Sequence, residues 1–321
     1  MEKSKLINVI IRFHNPEKLA DLDHALLCLL GQQYRPLEPI VVCQDFSQDE
    51  MGHVNNLLRN YIGWDGFYPV AYNVSGVGKG DFRSLLLNEG IKKARGQFLA
   101  FFDYDDVLYS NAYSALIDVL EKTDSAIAFA NIRASWQQPI KDSFYYVLNK
   151  RNIFFGQNKY DLFSENFCPI HSFVINKHKI DTTDLWFDEN MSRNEDYHFL
   201  LRLVAKYKSD FSLVGLVIGE YCMRMDDSNT IRITGNDAQK DKDWEEAQKW
   251  IAKKKEEIRI SISLAELISL SGKTPMPKED NSQSLLNEVL GSRSWRFTAP
   301  LRKIGHLVRR FIGNTKKIKA N

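Results

Sequence analysis

The sequence predicts an α/β fold, with a doubly wound, mostly parallel sheet and a C-terminal helical extension. Short apolar segments rich in β-branched residues alternate with amphipathic segments of helical period between residues 6 and 132. The first of them, LINVII, has no polar interruption, which is typical of a strand covered on both faces. Strands and helices that alternate in this way form βαβ units, so helices are expected on both sides of the sheet.

The predicted elements follow one another in a regular order. Asn15 can cap the first helix and Pro16 suits its first turn, while Gly31 and Gly96 suit helix ends. The predicted strands are residues 6–11, 39–43, 67–72, 97–102, 126–132 and 211–221. The predicted helices are residues 16–30, 51–61, 81–94, 111–121 and 196–206. The aromatic-rich stretch 133–167 is expected to be an insertion on the acceptor side with local structure of its own.

Composition places the chain among folded globular proteins. With 321 residues, of which 44% are hydrophobic, it can bury one large core or two small ones, which excludes a disordered chain. There is no uncharged apolar run long enough for a transmembrane helix and no signal peptide, so a cytoplasmic protein is expected. The four cysteines form no CxxC pair and are expected to be reduced.

The predicted domain organisation separates a catalytic domain from a basic tail. We expect the catalytic domain at residues 1–230, a helical extension at 231–270, a flexible linker at 271–283 and a basic amphipathic tail at 284–321. Residues 291–321 contain nine Lys and Arg and no acidic residue, so the rest of the chain is net acidic. The tail is expected to bind an anionic membrane surface at the inner face, or else to pack on the protein. No base-reading module is visible, so no nucleic-acid partner is predicted.

A cluster of carboxylates follows the fourth predicted strand. The segment FLAFFDYDDVL ends in Asp103, Asp105 and Asp106, whose mutual repulsion is costly unless a cation neutralises it. Mg²⁺ or Mn²⁺ bound by one or two carboxylates leaves positions open for phosphate oxygens. The alternative is that these residues only cap the following helix.

Four segments together resemble the inverting GT-A glycosyltransferases of family 2. They are INVIIRFHN (7–15), PIVVCQDFS (39–47), RSLLLNEGIKKARGQFLAFFDYDD (83–106) and FDENMSRNEDYHFLLRL (187–203), and the resemblance spans about 200 residues in order and spacing. It implies a GT-A fold, in which the sheet binds a nucleotide sugar and the Asp-x-Asp (DxD) motif holds a metal ion on the diphosphate. It also implies that a later Glu-Asp pair supplies the catalytic base.

The resemblance assigns roles to individual residues. Asn15 and Asp45 become nucleotide contacts, and Arg83 and Asn88 match polar positions of the donor site. Asp103 then faces the ribose or the metal, Asp105 is the expected metal ligand, and Asp106 supports it. Asp196 becomes the expected base, with Glu195 beside it.

Two further residues are weaker candidates for the donor site. His171 lies where it could touch the acceptor or the donor sugar, although a buried structural histidine is the alternative. Arg224 could stabilise the diphosphate late in the reaction. Arg12 and Gln44 depart from the family pattern, and Arg12 either reaches a phosphate or pairs with a neighbouring Asp.

These observations predict a metal-dependent, inverting glycosyltransferase of cell-surface polysaccharide synthesis. Its expected partners are a nucleoside-diphosphate sugar, UDP- or dTDP-linked, and a glycan or lipid-linked glycan acceptor. A nucleotidyltransferase is one alternative, but the segment RFHNPEK after the first strand lacks the expected Gly-rich phosphate loop. The other alternative is a non-catalytic domain that binds polysaccharide or membrane.

Overall fold

The computed structural model describes residues 5–78, 80–141, 144–226 and 238–270. Within these ranges the chain forms nine strands and eight α-helices. The strands are β1 (Ile7–Phe13), β2 (Leu37–Gln44), β3 (Val70–Val74), β4 (Phe98–Phe101), β5 (Val107–Leu108), β6 (Ile127–Lys141), β7 (Phe144–Arg151), β8 (Phe173–Asn176) and β9 (Ser209–Arg224). The helices are α1 (Leu19–Leu30), α2 (Gln48–Arg59), α3 (Arg83–Lys93), α4 (Ala112–Lys122), α5 (Lys159–Ser164), α6 (Glu195–Lys206), α7 (Ala238–Glu257) and α8 (Leu264–Leu270).

The strands form one mixed sheet in the order β3-β2-β1-β4-β8-β6-β9-β5, and β7 pairs with β6. Strands β1 to β4 pair in parallel, because a helix between each strand and the next carries the chain back across the sheet. Strand β8 is antiparallel to both of its neighbours, whereas β6 and β9 are parallel. The predicted α/β fold with a mostly parallel core is confirmed.

A hydrophobic layer covers each face of the sheet. Side chains alternate along β1, so that Val9 and Ile11 enter one layer and Ile10 enters the other. Helices α1, α2 and α4 contribute side chains to the first layer, and α3 and α6 contribute to the second. This arrangement explains why the β1 sequence is apolar without interruption.

Helix α3 packs unusually close to the central strand. A Cβ atom at Gly90 would lie 2.5 Å from Cγ2 of Ile10, which is closer than such atoms approach. Glycine at this position therefore lets α3 lie directly on β1. The N-terminus of the helix is thereby fixed at the edge of the sheet where β1 ends.

The aromatic-rich insertion forms a long hairpin. Strand β6 runs to Lys141 rather than ending at residue 132, and it pairs with β7 in antiparallel register. Pairing with β9 extends this strand, with Gln137 opposite Arg224, and such pairing with a distant segment leaves no periodic signal in the local sequence. Residues 159–164 of the same insertion form α5.

The charged segment 238–270 of the expected helical extension forms two helices, separated by residues 258–263. The described residues up to Ser261 belong to one compact unit, and residues 262–270 belong to a second. Helix α7 therefore belongs to the unit that contains the sheet, where Ala247 and Ile251 are buried. The predicted boundaries at residues 230, 270 and 283 stay predictions, because the linker and the basic tail lie outside the described residues.

Within the described part of the chain, none of the helices combines the length and the apolar character needed to cross a bilayer.

Candidate functional site

Three neighbouring parallel strands end at one edge of the sheet and carry polar side chains there. Arg12 lies in β1, Gln44 ends β2, and Asp103 follows β4. All three line a cavity of about 300 Å³, here called the first cavity. Its other walls include His14, Asp81, Arg83, Tyr104, Asp105 and Tyr221. Open α/β sheets bind their ligands at the carboxyl ends of their strands, so this edge is the expected site.

A chain of ion pairs connects residues that line the first cavity. Arg12 donates from Nε and Nη2 to the two carboxylate oxygens of Asp103, at 2.8 and 3.0 Å. Its Nη1 lies 3.6 Å from Oε1 of Glu195, and Nη1 of Arg83 lies at the same distance from that oxygen. Nη2 of Arg83 lies 2.6 Å from Oδ2 of Asp81. The network therefore joins β1 and the DxD turn to the N-termini of α3 and α6.

The three carboxylates after β4 have different environments. Burial would raise the pKa of Asp103, but the charge and hydrogen bonds of Arg12 outweigh burial and lower it. Burial and the charge of Asp103 raise the pKa of Asp105 to about 6. Burial and the charge of Asp105 also raise the pKa of Asp106. Negative charge is thus crowded at this turn, where a cation would stabilise it.

Asp106 also lines the first cavity, and His171 lies beside it. Oδ1 of Asp106 accepts from the N–H of Cys222 at 2.8 Å, and Oδ2 lies 3.3 Å from Nδ1 of His171. Burial lowers the pKa of His171 to about 4, so the ring is neutral at pH 7. Among the described residues neither ring nitrogen has a hydrogen-bond partner. The His171 ring packs against Phe102 and lines neither of the two cavities described here.

The Arg224 side chain contacts the main chain of the DxD turn. Its Nη2 donates to the carbonyl oxygen of Asp105 at 3.0 Å, and its Nη1 donates to Oε1 of Gln137 at 2.7 Å. The guanidinium carbon also lies 3.3 Å from the centre of the Tyr145 ring. The structure therefore places Arg224 beside Asp105, between the turn and the hairpin.

A second cavity of about 420 Å³ adjoins the first. Arg12, Arg83, Asp103 and Tyr221 line both cavities, so the two meet at the ion-pair network. The second cavity also contains Asp196 and is closed by Phe154, Arg193, Trp244, Gln248, Ile251 and Lys255. A reactant in one cavity therefore lies next to a reactant in the other.

The side chains of Glu195 and Asp196, at the start of α6, point in different directions. Asn194 has a φ of +58°, a left-handed conformation that Asn tolerates better than most residues. Glu195 faces the arginines of the network, whereas Asp196 lines the second cavity and accepts from the N–H of Tyr197 at 2.7 Å. Burial and the charge of Glu195 raise the pKa of Asp196 to about 7. A carboxyl group with such a pKa can exchange a proton near neutral pH.

Two predicted donor-site residues have local structural contacts. Asn15 caps the short 3₁₀ turn before α1 by accepting from the N–H of Glu17 at 3.0 Å. Asn88 is buried, accepts from the N–H of Phe187 at 2.7 Å, and donates to its carbonyl oxygen at 3.0 Å. Neither residue lines the first or the second cavity. Asn88 instead fixes the segment that leads into α6.

Asp45 holds the loop that follows β3. It has a φ of +51°, and its two carboxylate oxygens accept from the N–H groups of Gly76 and Gly78 at 2.9 and 3.1 Å. The neighbouring Gln44 donates to the carbonyl oxygen of Gly80 at 2.8 Å and lines the first cavity. Gln44 thus lines the first cavity, whereas the exposed Asp45 does not.

Sequence reasoning missed two parts of the site. Tyr221 lines both cavities, and the only signal in the sequence was its place near the end of a predicted strand. Helix α7 closes the second cavity with residues at positions 244, 248, 251 and 255, which is the spacing of one helical face. That periodicity is visible in the sequence, but nothing local connects it to the active site.

The residues at the DxD turn fit a metal ion that binds together with a diphosphate. Across the described ranges there is no cluster of three His, Cys, Asp or Glu side chains that could hold a metal on its own. Asp103 and Asp105 offer one or two carboxylates, and Mg²⁺ commonly completes such a set with phosphate oxygens and water. The raised pKa of Asp105 is consistent with this fit, because a divalent cation would favour its charged form.

Comparison with known proteins identifies the family. Residues 8–183, more than half of the chain, match the profile described as Glycosyl transferase family 2. The chain belongs to this family. As a family 2 glycosyltransferase it transfers a sugar from a nucleotide-sugar donor, which confirms the predicted enzyme class and decides against the nucleotidyltransferase and non-catalytic alternatives. No curated protein matches the sequence at a significant level.

Solved structures of other glycosyltransferases are similar to this chain. Residues 1–349 of S. aureus TarS match with a TM-score of 0.51 and 15% identity, over 89% of this chain and 79% of that one. The mannosyltransferase PcManGT from Pyrobaculum calidifontis matches with a TM-score of 0.45 and 12% identity, over 94% of this chain and 85% of that one. The PcManGT structure contains GDP-Man and Mn²⁺, and TarS has been solved with UDP-GlcNAc.

Proposed function

We propose that this enzyme catalyses the metal-dependent, inverting transfer of a sugar from a nucleoside diphosphate to a hydroxyl group of a glycan. The observation that carries the proposal is the pair of adjoining cavities, one beside the DxD turn and the other containing Asp196. Inversion requires the acceptor oxygen to approach from the face opposite the leaving diphosphate. Two cavities that meet at Arg12 and Asp103 suit that geometry.

The first cavity is the proposed donor site. Arg12 and Arg83 present guanidinium groups that can donate to phosphate oxygens in bidentate fashion. Asp105 and Asp103 are the proposed ligands of Mn²⁺ or Mg²⁺, which would supply positive charge to the departing diphosphate. UDP or dTDP is the proposed nucleotide, and the TarS complex with UDP-GlcNAc is a precedent within the same fold.

Asp196 is the proposed catalytic base. A carboxylate in the second cavity can accept the proton of the acceptor hydroxyl as its oxygen attacks the sugar. The pKa of about 7 lets Asp196 be ionised at neutral pH and still be basic enough to accept this proton. Glu195 pairs with Arg12 and Arg83 and is the proposed positioning residue of the same turn.

The proposed acceptor is a glycan of cell-surface polysaccharide synthesis, carried on a lipid. Phe154, Tyr221 and Trp244 line the second cavity, and aromatic faces suit the apolar faces of sugar rings. The nine basic residues between 291 and 321 support a peripheral location at the inner membrane face. No nucleic-acid partner is proposed.

The donor assignment is tested by a thermal-shift panel of UDP, dTDP, GDP and CMP, each with and without Mn²⁺. One nucleotide should raise the melting temperature by several degrees in the presence of metal, since a ligand at a hundredfold excess over Kd stabilises by about 2.7 kcal/mol. Asp105→Asn should lose the metal-dependent part of the shift. Asp118→Asn, a change on the exposed face of α4, should retain it.

The same panel can contradict the proposal in two ways. Absence of any nucleotide-induced shift would exclude the first cavity as the donor site. An equal shift in Asp105→Asn and wild type would exclude Asp105 as the metal ligand, while leaving the donor cavity in place.

A further inference from the structure

Exposed apolar side chains are concentrated on the β6–β7 hairpin and the segment after it. Phe144, Tyr146 and Phe155 are 68%, 62% and 76% exposed. Ile140, Val147, Leu148 and Ile153 are also exposed. We call Ile140, Phe144, Tyr146, Leu148 and Phe155 the apolar hairpin surface. Large apolar side chains that are this exposed and this close together in the chain are typical of an interaction site.

The geometry of β7 shows which way this surface faces. The Tyr145 hydroxyl lies 3.2 Å from the carboxylate oxygens of Asp21, and its ring lies against Arg224, so Tyr145 faces the protein body. Side chains alternate along a strand, so Phe144 and Tyr146 face away from the body. Among the described strands β7 pairs with β6 alone, which leaves its other edge open. Proteins normally protect such an edge with charged residues or cover it.

The net charge of the hairpin segment indicates which kind of partner binds there. Between residues 127 and 160 the sequence contains Arg133, Lys141, Lys150, Arg151 and Lys159 but only one acidic residue, Asp142. Arg133 and Lys150 share the buried carboxylate of Glu220, at 2.9 and 2.6 Å, so one further acidic group offsets them. The segment that carries the apolar, aromatic surface is therefore net positive.

A positive surface disfavours a second copy of this chain as the partner. A twofold-symmetric dimer through this surface would bring two net-positive segments together, which costs free energy. An anionic bilayer offers the opposite charge at its headgroups and an apolar environment a few ångströms deeper. Aromatic residues with apolar bodies and polar tips, such as Tyr146, suit that boundary.

We propose that the apolar hairpin surface inserts into the headgroup region of an anionic lipid bilayer and holds the two cavities at the membrane. Phe155 belongs to this surface, whereas its neighbour Phe154 lines the second cavity. Tyr145 contacts Arg224, which donates to the DxD turn. A lipid-carried acceptor could then reach Asp196 without leaving the membrane surface. This last point rests on the proposed function, whereas the membrane contact itself does not.

The first test is co-sedimentation of the full chain with vesicles of phosphatidylcholine, with and without one third phosphatidylglycerol. Combined Phe144→Ser, Tyr146→Ser and Phe155→Ser changes should lower partitioning onto the anionic vesicles by about tenfold or more, because three large apolar groups no longer leave water. The matched control combines Ile62→Ser, Trp64→Ser and Tyr68→Ser, which are equally exposed apolar residues elsewhere, and it should bind like wild type.

A second measurement works even if the triple variant does not fold. An environment-sensitive dye on Leu148→Cys should shift its emission to shorter wavelength when anionic vesicles are added. The same dye on Lys122→Cys, an exposed position on α4, should not respond. The nucleotide-induced thermal shift of the triple variant reports separately on the donor site.

Two results would overturn the proposal. One is unchanged vesicle binding by a folded triple variant, together with no emission shift at Leu148→Cys. The other is loss of self-association by the triple variant in sedimentation velocity with vesicle binding intact, which would assign the surface to a second copy. If no nucleotide raises the melting temperature of the wild-type protein, that result contradicts the proposed function but not the proposed membrane contact.

Discussion

Arg12 is the residue on which the charge balance of the site depends most. It pairs with Asp103 in bidentate geometry and faces Glu195, while Arg83 approaches the same glutamate from the other side. All four side chains are largely withdrawn from solvent, so each charge relies on its partners rather than on water. The network is therefore sensitive to the loss of a single member.

Arg12→Gln should lower the free energy of unfolding by about 3 kcal/mol, because it leaves Asp103 buried without its ion-pair partner. Urea denaturation at neutral pH measures this change. Lys122→Gln removes an exposed partner of Asp118 and should cost less than about 0.5 kcal/mol. Equal stability of the two variants would show that the Arg12 pair contributes nothing to the fold.

Asp196 should give the transfer reaction a pH dependence. Because the pKa of Asp196 is about 7, kcat/KM should rise as pH increases through 7 and the carboxylate forms. Asp196→Asn should lower kcat by about 10²–10⁴ and remove this rise, with nucleotide binding unchanged. Glu165→Gln, in the same cavity, should retain the wild-type profile. A variant that keeps the pH-dependent rise would identify a different base.

The Asp196 carboxyl should make the free energy of unfolding fall with increasing pH, whereas kcat/KM rises. Its folded pKa lies above the ordinary value of an aspartate, so the folded state binds the proton more tightly than the unfolded chain does. The stabilisation from the bound proton is present at low pH and is lost as pH rises toward 7. Asp196→Asn should therefore flatten the dependence of unfolding free energy on pH in this range.

At the scale of elements, the approach of α3 to β1 fixes the position of Arg83. The absence of a side chain at Gly90 permits this contact, and Ile10 fills the space. Gly52 in α2 has no heavy atom within 4 Å of where a Cβ would lie. Both glycines are in helices that pack on the sheet, but Gly90 is in tight contact with a strand and Gly52 has open space beside it.

Gly90→Ala and Gly52→Ala should change stability in opposite directions. Gly90→Ala should destabilise by about 1–3 kcal/mol, since the added carbon would clash with Ile10. Gly52→Ala should stabilise by about 0.5–1 kcal/mol, because alanine favours the helix and nothing obstructs it. Thermal or urea unfolding of both variants measures the difference, and a stabilised Gly90→Ala would contradict the close packing.

The whole molecule adds to its family core a helix that completes a cavity. The family match ends at residue 183, whereas α7 begins at Ala238 and packs on the same compact unit. Lys254 of α7 lies 3.2 Å from a carboxylate oxygen of Asp188, just before the α6 turn. The second cavity is thus shaped partly by residues outside the matched region, which is where we expect acceptor specificity to arise.

Trp244→Ala should raise the KM for a glycan acceptor about tenfold and leave donor hydrolysis unchanged, because it removes an aromatic wall of the second cavity alone. Trp250 is on the same helix but does not line the cavity, so Trp250→Ala should change neither the acceptor KM nor the rate of donor hydrolysis. Acceptor titration at saturating donor measures both variants. A rise in donor KM in Trp244→Ala would contradict the separation of the two cavities.

The sequence predicted the parts of the molecule that local patterns determine. Strands β1 to β4 and helices α1 to α4 follow from apolar periodicity and caps, and the DxD carboxylates follow from their position after a strand. The course of β6 beyond residue 132 depends on pairing with β9, almost ninety residues away in the chain. The ion pair between Arg12 and Asp103 joins residues 91 positions apart, and the sequence left it as one of two alternatives.

The long parallel pair of β6 and β9 has a mechanical consequence. Ten backbone positions of β6, from Ile127 to Gln137, pair with β9, and β6 continues past them into the hairpin. A force applied to the hairpin acts along β6. It therefore loads the hydrogen bonds between β6 and β9 in shear and is shared among many of these bonds. The hairpin should consequently transmit displacement to the core through β6, of which only the last four residues, 138–141, about 13 Å at the usual rise per residue, extend beyond the pair with β9.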